Sequence, residues 1–274
     1  MKRILLSFCL TVSAIVALAQ EQKKPKSERE QKKDARREKI NALIRQQEEG
    51  ALVFNKQNVF GLRLNTDGWG VFYEKGYMKN VKTTNLFAIE LGEKKHSKEQ
   101  KLNNLLSNNG FFQIGNPYVY GKRNYFYQLK PTFGQQRMIG GKTNKNGVAV
   151  HVIYAGGISV GIERPYYIRV RDAGPNGSKE LKYSDADSTA FLTPGNIVMG
   201  TGLRYGWNEL KIVPGVHAKA ALRFDYGRFN EMVTAIEVGL NFEAYTREID
   251  IMLRNPNKQV FFNGYIAILF GKRK

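Results

Sequence analysis

The side chains with the means to do chemistry in this sequence are three histidines and a scattered set of carboxylates and cations. His151 lies in the stretch GVAVHVIYAGGISVGIE, residues 147–163, eight positions before Ser159 and twelve before Glu163. A histidine beside a carboxylate is a general base, and with a serine it forms the core of an acyl-transfer relay. No Ser–His–acid spacing singles itself out, so His151 reads as a member of a hydrogen-bonded polar network. His96 and His217 fall toward loop-proximal ends, too scattered for a metal site. DADS (residues 185–188) has the acids of a calcium loop but neither the central glycine nor the closing glutamate in register. GGKTNKNG (residues 140–147) has glycines and lysines but not the G-x-x-x-x-G-K-[ST] spacing of a phosphate loop. The expectation is no catalytic residue, no cofactor and no metal.

The remaining charges gain meaning from the elements that carry them. In residues 147–163 alternate positions from Val148 read Val, Val, Val, Tyr, Gly, Ile, Val, Ile. The positions between them read Ala, His, Ile, Ala, Gly, Ser, Gly, Glu. One face is large and apolar, and the other is small and partly polar. The same division recurs at 232–245, where Ile236, Val238, Leu240 and Phe242 oppose Glu237, Gly239, Asn241 and Glu243. It recurs again at 83–93 and 218–227. Period-two alternation is the mark of a strand. Eight such stretches follow one another, at 59–65, 68–79, 83–93, 124–139, 147–163, 218–227, 232–245 and 260–271.

A soluble up-and-down barrel of the lipocalin kind would turn its apolar face inward and its charges to water. Here the charges share a face with glycine and alanine, as suits a narrow lumen. Arg63, Glu74, Glu90, Lys130, His151, Glu163, Arg223, Asp225, Glu237 and Glu243 are expected to form a polar network there. Large apolar residues then face lipid, where a charge would cost about 2–4 kcal/mol at mid-bilayer. Strands in hydrocarbon must close into a ring, because an open edge would leave backbone groups unpaired. The expected fold is therefore all-β: an eight-stranded antiparallel up-and-down transmembrane β-barrel with a short helical N-terminal extension. Tyr77, Tyr125, Tyr166, Tyr167 and Tyr245, near strand ends, are expected to form interfacial girdles.

Connection lengths agree with this reading. Placing the N-terminus in the periplasm makes the turns at 80–82, 140–147 and 228–231 periplasmic, and all are short. The outer connections are 66–67, 94–123, 164–217 and 247–259, three of them longer. Outer-membrane barrels sort their connections in this way. Within 164–217, residues 190–215 are more apolar than a free loop should be. They are expected to cap the barrel mouth or to meet a partner.

Residues 1–19 have a basic start, an apolar run and an A-x-A site, which predicts a signal peptide cleaved between Ala19 and Gln20. Residues 20–57 form a charged periplasmic extension, partly helical, and 58–274 the barrel. Ten basic and seven acidic residues crowd 21–50. The formal net charge of the 274 residues is +19, which calls for a polyanionic partner. Export makes nucleic acid improbable and phospholipid phosphate the natural choice. The one cysteine, Cys9, lies within the signal, so the mature chain has no disulfide.

The segments KPTFGQQRMIGGKTNKNGVAVHVIYAGGISVGIERPYYI, IVPGVHAKAALRFDYG, AIEVGLNFEAY and FFNGYIAILFGKRK resemble a family of uncharacterised outer-membrane β-barrel proteins of Bacteroidota. The resemblance runs from about residue 53 to 274. It implies an outer-membrane barrel and supplies no catalytic residues. The expected role is structural or interactive, in the cell outer membrane, without enzymatic activity and without a large pore. Expected partners are outer-membrane lipid, periplasmic chaperones and the barrel-insertion machinery. An envelope protein could also be bound through residues 20–50 or 164–217. The alternatives are a barrel enzyme that modifies lipid or lipopolysaccharide, and a soluble lipocalin-like binding barrel.

Overall fold

A computed structural model describes residues 54–103, 105–108, 111–142, 147–172, 177–184, 186–227 and 232–274, with helical positions at Arg29, Lys33, Arg36, Arg37 and Glu38. The chain divides into two units, Met1–Glu48 and Glu49–Lys274. In the first, those five helical residues are exposed. The signal peptide, its cleavage site at Ala19 and Gln20, and most of the charged extension lie outside the described residues.

The second unit is a barrel with elaborated loops at one end. Its wall consists of β1 (Lys56–Asn65), β2 (Gly68–Asn80), β3 (Thr83–Lys94), β8 (Asn124–Gly140), β9 (Ala149–Pro165), β13 (Lys211–Asp225), β14 (Met232–Ile249) and β15 (Lys258–Arg273). Each strand pairs antiparallel with the next along the chain, and β1 pairs with β15 to close the ring. The eight alternating stretches of the sequence are these eight strands.

Register defines the shape. From Lys272 on β15, partners run through Asn58, Lys75, Phe87, Phe133, Gly156, Ala218 and Phe242 to Phe262, again on β15. One circuit therefore slips by ten residues, 272 − 262. A closed sheet with such a stagger has strands tilted by about 40° to its axis.

Alternation sorts the side chains as the pattern demands. Outside are Leu62, Ile89, Phe133, Ile158, Leu240, Phe242, Ile266 and Phe270, all exposed. Inside, Val59, Phe72, Leu86, Ile153, Val233, Tyr265 and Leu269 form an apolar cluster toward the end with the short turns. Glycine makes the room: a Cβ on Gly61 would collide with the Phe72 ring.

Several boundaries differ from the sequence reading. β13 begins at Lys211, seven residues before the expected start at Ala218. The apolar residues Ile212 and Val213 are thus barrel wall rather than loop, and Pro214 misled because proline lacks a ladder donor. β14 continues to Ile249 and β1 starts at Lys56, inside the expected extension. The outer connections shorten accordingly to 66–67, 95–123, 166–210 and 250–257.

Those loops carry structure of their own. The connection from β3 to β8 contains β4 (Lys101–Leu102), β5 (Leu105–Asn108), β6 (Phe111–Ile114) and β7 (Tyr118–Val119), paired β4 with β7 and β5 with β6. The longest connection holds β10 (Tyr167–Arg171), β11 (Ser178–Lys182), the short helix α1 (Ser188–Leu192) and β12 (Ile197–Gly200). There β10 lies between β11 and β12.

Candidate functional site

The barrel interior concentrates the charged residues. All ten expected to line the lumen are buried, none more than 4 % exposed. They sit on inward positions of seven strands, alternating with the large apolar side chains outside.

At mid-height the Arg223 guanidinium donates to both oxygens of Glu74, at 2.7 and 2.8 Å. Its Nε and Nη2 also reach Glu237 Oε2, at 2.9 and 2.7 Å. Tyr265 donates its hydroxyl to the other Glu237 oxygen at 2.7 Å. Arg63 pairs with Glu90 and lies 4.2 Å from the Tyr265 ring. Lys130 bridges Glu90 and Glu243 at 2.8 and 3.0 Å. Toward the long loops, Lys94 bridges Glu243 at 3.3 Å and Asp67 at 2.6 Å. Lys219 approaches Glu237 at 3.8 Å. Five cations (Arg63, Lys94, Lys130, Lys219, Arg223) thus meet five carboxylates (Asp67, Glu74, Glu90, Glu237, Glu243). The charge cancels within the stack, which is the condition for holding ions in a low-dielectric interior.

The remaining members of the ten lie apart from this stack. Asp225, at the short-turn end, pairs with Arg273 and accepts from the Gly227 amide at 2.9 Å. Glu163, at the opposite mouth, pairs with Arg247 at 2.7 Å. His151 is buried, and its Nδ1 has no hydrogen-bond partner among the described residues. Ser159 is hydrogen-bonded to the Tyr245 hydroxyl at 2.8 Å.

Sequence reasoning left out Lys94, Lys219, Lys142 and Arg273, all buried. Following the alternation to the strand ends would have found Lys94 and Arg273. His217, expected near a loop, lies within β13, with its Nε2 2.9 Å from the Thr132 hydroxyl; the early start of β13 puts it there. Two girdle expectations also need correction. Tyr245 points inward, where its hydroxyl accepts from Gln128 at 2.6 Å. Tyr166 is buried in the cap and accepts from the Val119 amide at 2.9 Å. Tyr77 is exposed on the outer wall. Of DADS, Asp185 lies outside the described residues, while Asp187 accepts from Ser184 at 2.9 Å. Among the described residues no three His, Cys, Asp or Glu side chains cluster as metal ligands.

The loops build a second core over the long-loop end. Ile168, Val170, Leu181, Phe191, Ile197, Ile251 and Met252 pack in one cluster with the lumen residues Phe126, Val213 and Tyr245. The described residues of the 166–210 connection therefore settle on the barrel mouth. Beside it, Arg164 at the outer end of β9 is fully buried. Its guanidinium donates to the Leu203 carbonyl at 3.1 Å and lies 4.3 Å from the Tyr125 ring and 4.7 Å from Trp207. Cation–π contacts of this kind stabilise most when desolvated.

Lys122 locks the same cap from the shorter loop. Its ammonium contacts Glu99 at 2.7 Å and lies 4.2 Å from the Tyr125 ring. Burial pushes Lys122 below its ordinary range, while Glu99 pulls the other way. Glu99→Gln removes the charge partner of a buried ammonium, a loss of about 3 kcal/mol. Hydrogen exchange should show faster exchange of the Val119 and Arg123 amides in that variant, with the mid-barrel amides unchanged.

No family model matches the chain, and no curated protein matches it. Among solved structures it is similar to the N-terminal β-barrel domain of OprF from Pseudomonas aeruginosa, at 7 % identity and a TM-score of 0.34, covering 80 % of this chain and 98 % of that one. It is also similar to Ail, the attachment invasion locus protein of Yersinia pestis, at 8 % identity and a TM-score of 0.35, covering 81 % and 100 %. The Neisserial surface protein A, NspA, is similar at 8 % identity and a TM-score of 0.32, covering 80 % and 94 %.

Proposed function

We propose that this chain is an integral outer-membrane β-barrel protein whose role is structural or interactive rather than catalytic. The observation that carries the reading is the inversion of a soluble barrel's polarity. Leu62, Ile89, Ile158, Leu240, Ile266 and Phe270 cover the outside, while ten paired charges fill the middle of the inside. Monomeric soluble proteins rarely expose apolar patches beyond a few hundred Å²; a belt around a whole barrel is stable only in lipid. Among the described residues no helix is long and apolar enough to cross a membrane, so crossing falls to the strands. Short turns at one end and folded loops at the other support a periplasmic and an external face. The capped mouth and the ion-paired lumen argue against conduction and leave the loops as the surface for an envelope partner.

The test is gel mobility of the protein from isolated outer membranes, with and without boiling in detergent. A closed barrel resists detergent and migrates faster unheated. Identical mobility, with the protein recovered in the soluble periplasm, would sink the proposal and favour a soluble binding barrel.

A further inference from the structure

The outer wall is not uniform. Over β13, β14 and β15 it is apolar from Leu222 through Val238 and Leu240 to Ile266 and Ile268. Over β2, β3, β8 and β9 a groove of about 570 Å³ opens, walled by Tyr73, Phe87, Ile89, Pro131, Phe133 and Ile158. Its origin is local. Phe133, Gly156 and Ala218 are register partners on adjacent strands, so two small residues follow a phenylalanine around the wall. The Phe87 and Phe133 rings, 5.0 Å apart, form one side.

Immediately below, toward the short-turn end, the wall turns polar. Asn85, Gln135 and Tyr154 are the next outward register row. They are linked to one another: Tyr154 donates to Gln135 Oε1 at 2.5 Å, and Gln135 Nε2 donates to Asn85 Oδ1 at 3.2 Å. Lys75 lines the groove edge as the partner of Phe87. Arg137 stands one outward position below Gln135, and Lys79 and Lys82 are exposed at the same end. The outward carboxylate on these four strands, Glu93, lies at the opposite end and accepts from Trp69 at 3.0 Å. Cations stand on a lipid-facing wall only where something anionic meets them, or where they reach the interface.

We propose that this face is a binding site for one anionic glycerophospholipid of the short-turn leaflet. An acyl chain occupies the groove between Phe133 and Ile158. The phosphate lies between Lys75 and Arg137. The ester and glycerol oxygens meet the spare amide donors of Asn85 and Gln135. The site rests on the membrane reading above and adds to it a ligand, a leaflet and a wall.

The test uses the full chain in bilayers, with Trp69→Phe and Trp207→Phe removing the native reporters. Phe133→Trp then reports on the groove, and Ile266→Trp on the opposite wall. Brominated phosphatidylglycerol and brominated phosphatidylcholine are compared as quenchers. The expected result is a preference for phosphatidylglycerol of about 25-fold at the groove reporter, each of the two cations near an anionic headgroup contributing about fivefold. The opposite wall should show no preference, and Lys75→Gln with Arg137→Gln should erase the one at the groove. Equal quenching by both lipids at the groove, or a preference that survives loss of both cations, overturns the site while leaving the barrel in the membrane. Absence of quenching at the Ile266→Trp reporter by either lipid overturns the membrane reading, and the site with it.

Discussion

Arginine in place of Leu240 is expected to destabilise the barrel in bilayers by about 2–4 kcal/mol, or to prevent insertion. Leu240 is midway along β14 and half exposed, with Ala220 and Gly264 as its outward neighbours. If water lay outside, Leu240→Arg would be an ordinary surface change worth about 0.5 kcal/mol or less. The two solvents therefore predict results several-fold apart for the same substitution. Urea unfolding of the chain folded into lipid vesicles reads the difference, with Leu240→Ala as the control for lost packing. Equal stability of Leu240→Arg and Leu240→Ala would remove the lipid from the outer face.

Inside the barrel the largest effect is expected at Arg223. Its guanidinium serves Glu74 and Glu237 at once, and all three side chains are at most 2 % exposed. Arg223→Met leaves two buried carboxylates facing each other without their shared partner. Breaking a buried pair from one side costs about 3–5 kcal/mol, whereas replacing all members together is often neutral. The detergent gel should accordingly show the folded band of Arg223→Met lost at a lower temperature. Adding Glu74→Gln should recover most of the loss, because four cations then face four carboxylates and Glu237 stays beside Lys219. If Arg223→Met melts like the parent, the ion pairs hold nothing in place.

The wall was legible in the sequence because a closed sheet in two solvents imposes one rule on every residue. At 147–163 the rule alternates tyrosine, isoleucine and valine with serine, glycine and histidine, and no competing period exists. The rule failed at Lys211–His217 because Pro214 and Gly215 look like a turn, while β9 holds both in register and β14 joins from Gly215 onward. The pairing of charges was not legible at all. Glu74 and Arg223 are 149 residues apart and meet only because the ring closes. Tyr245 could have been placed inward from its parity with Glu243, but its aromatic character suggested the interface instead. The cap core was partly visible as excess apolarity in 190–215; its use of Phe126 and Tyr245 from the barrel depends on the tilt of the strands.

The pairing of β1 with β15 also sets the order of assembly. Lys56–Asn65 finds its second neighbour only when Lys258–Arg273 arrives. Until then the growing sheet has two raw margins, each with a row of unspent amides and carbonyls that hydrocarbon cannot solvate. Partial barrels are therefore not resting places along the way. Stopping synthesis before β15 should yield not a smaller, weaker wall but a chain that must be held by a chaperone or degraded. The last sixteen residues of sheet act as a latch, and susceptibility to added protease reads whether it has shut.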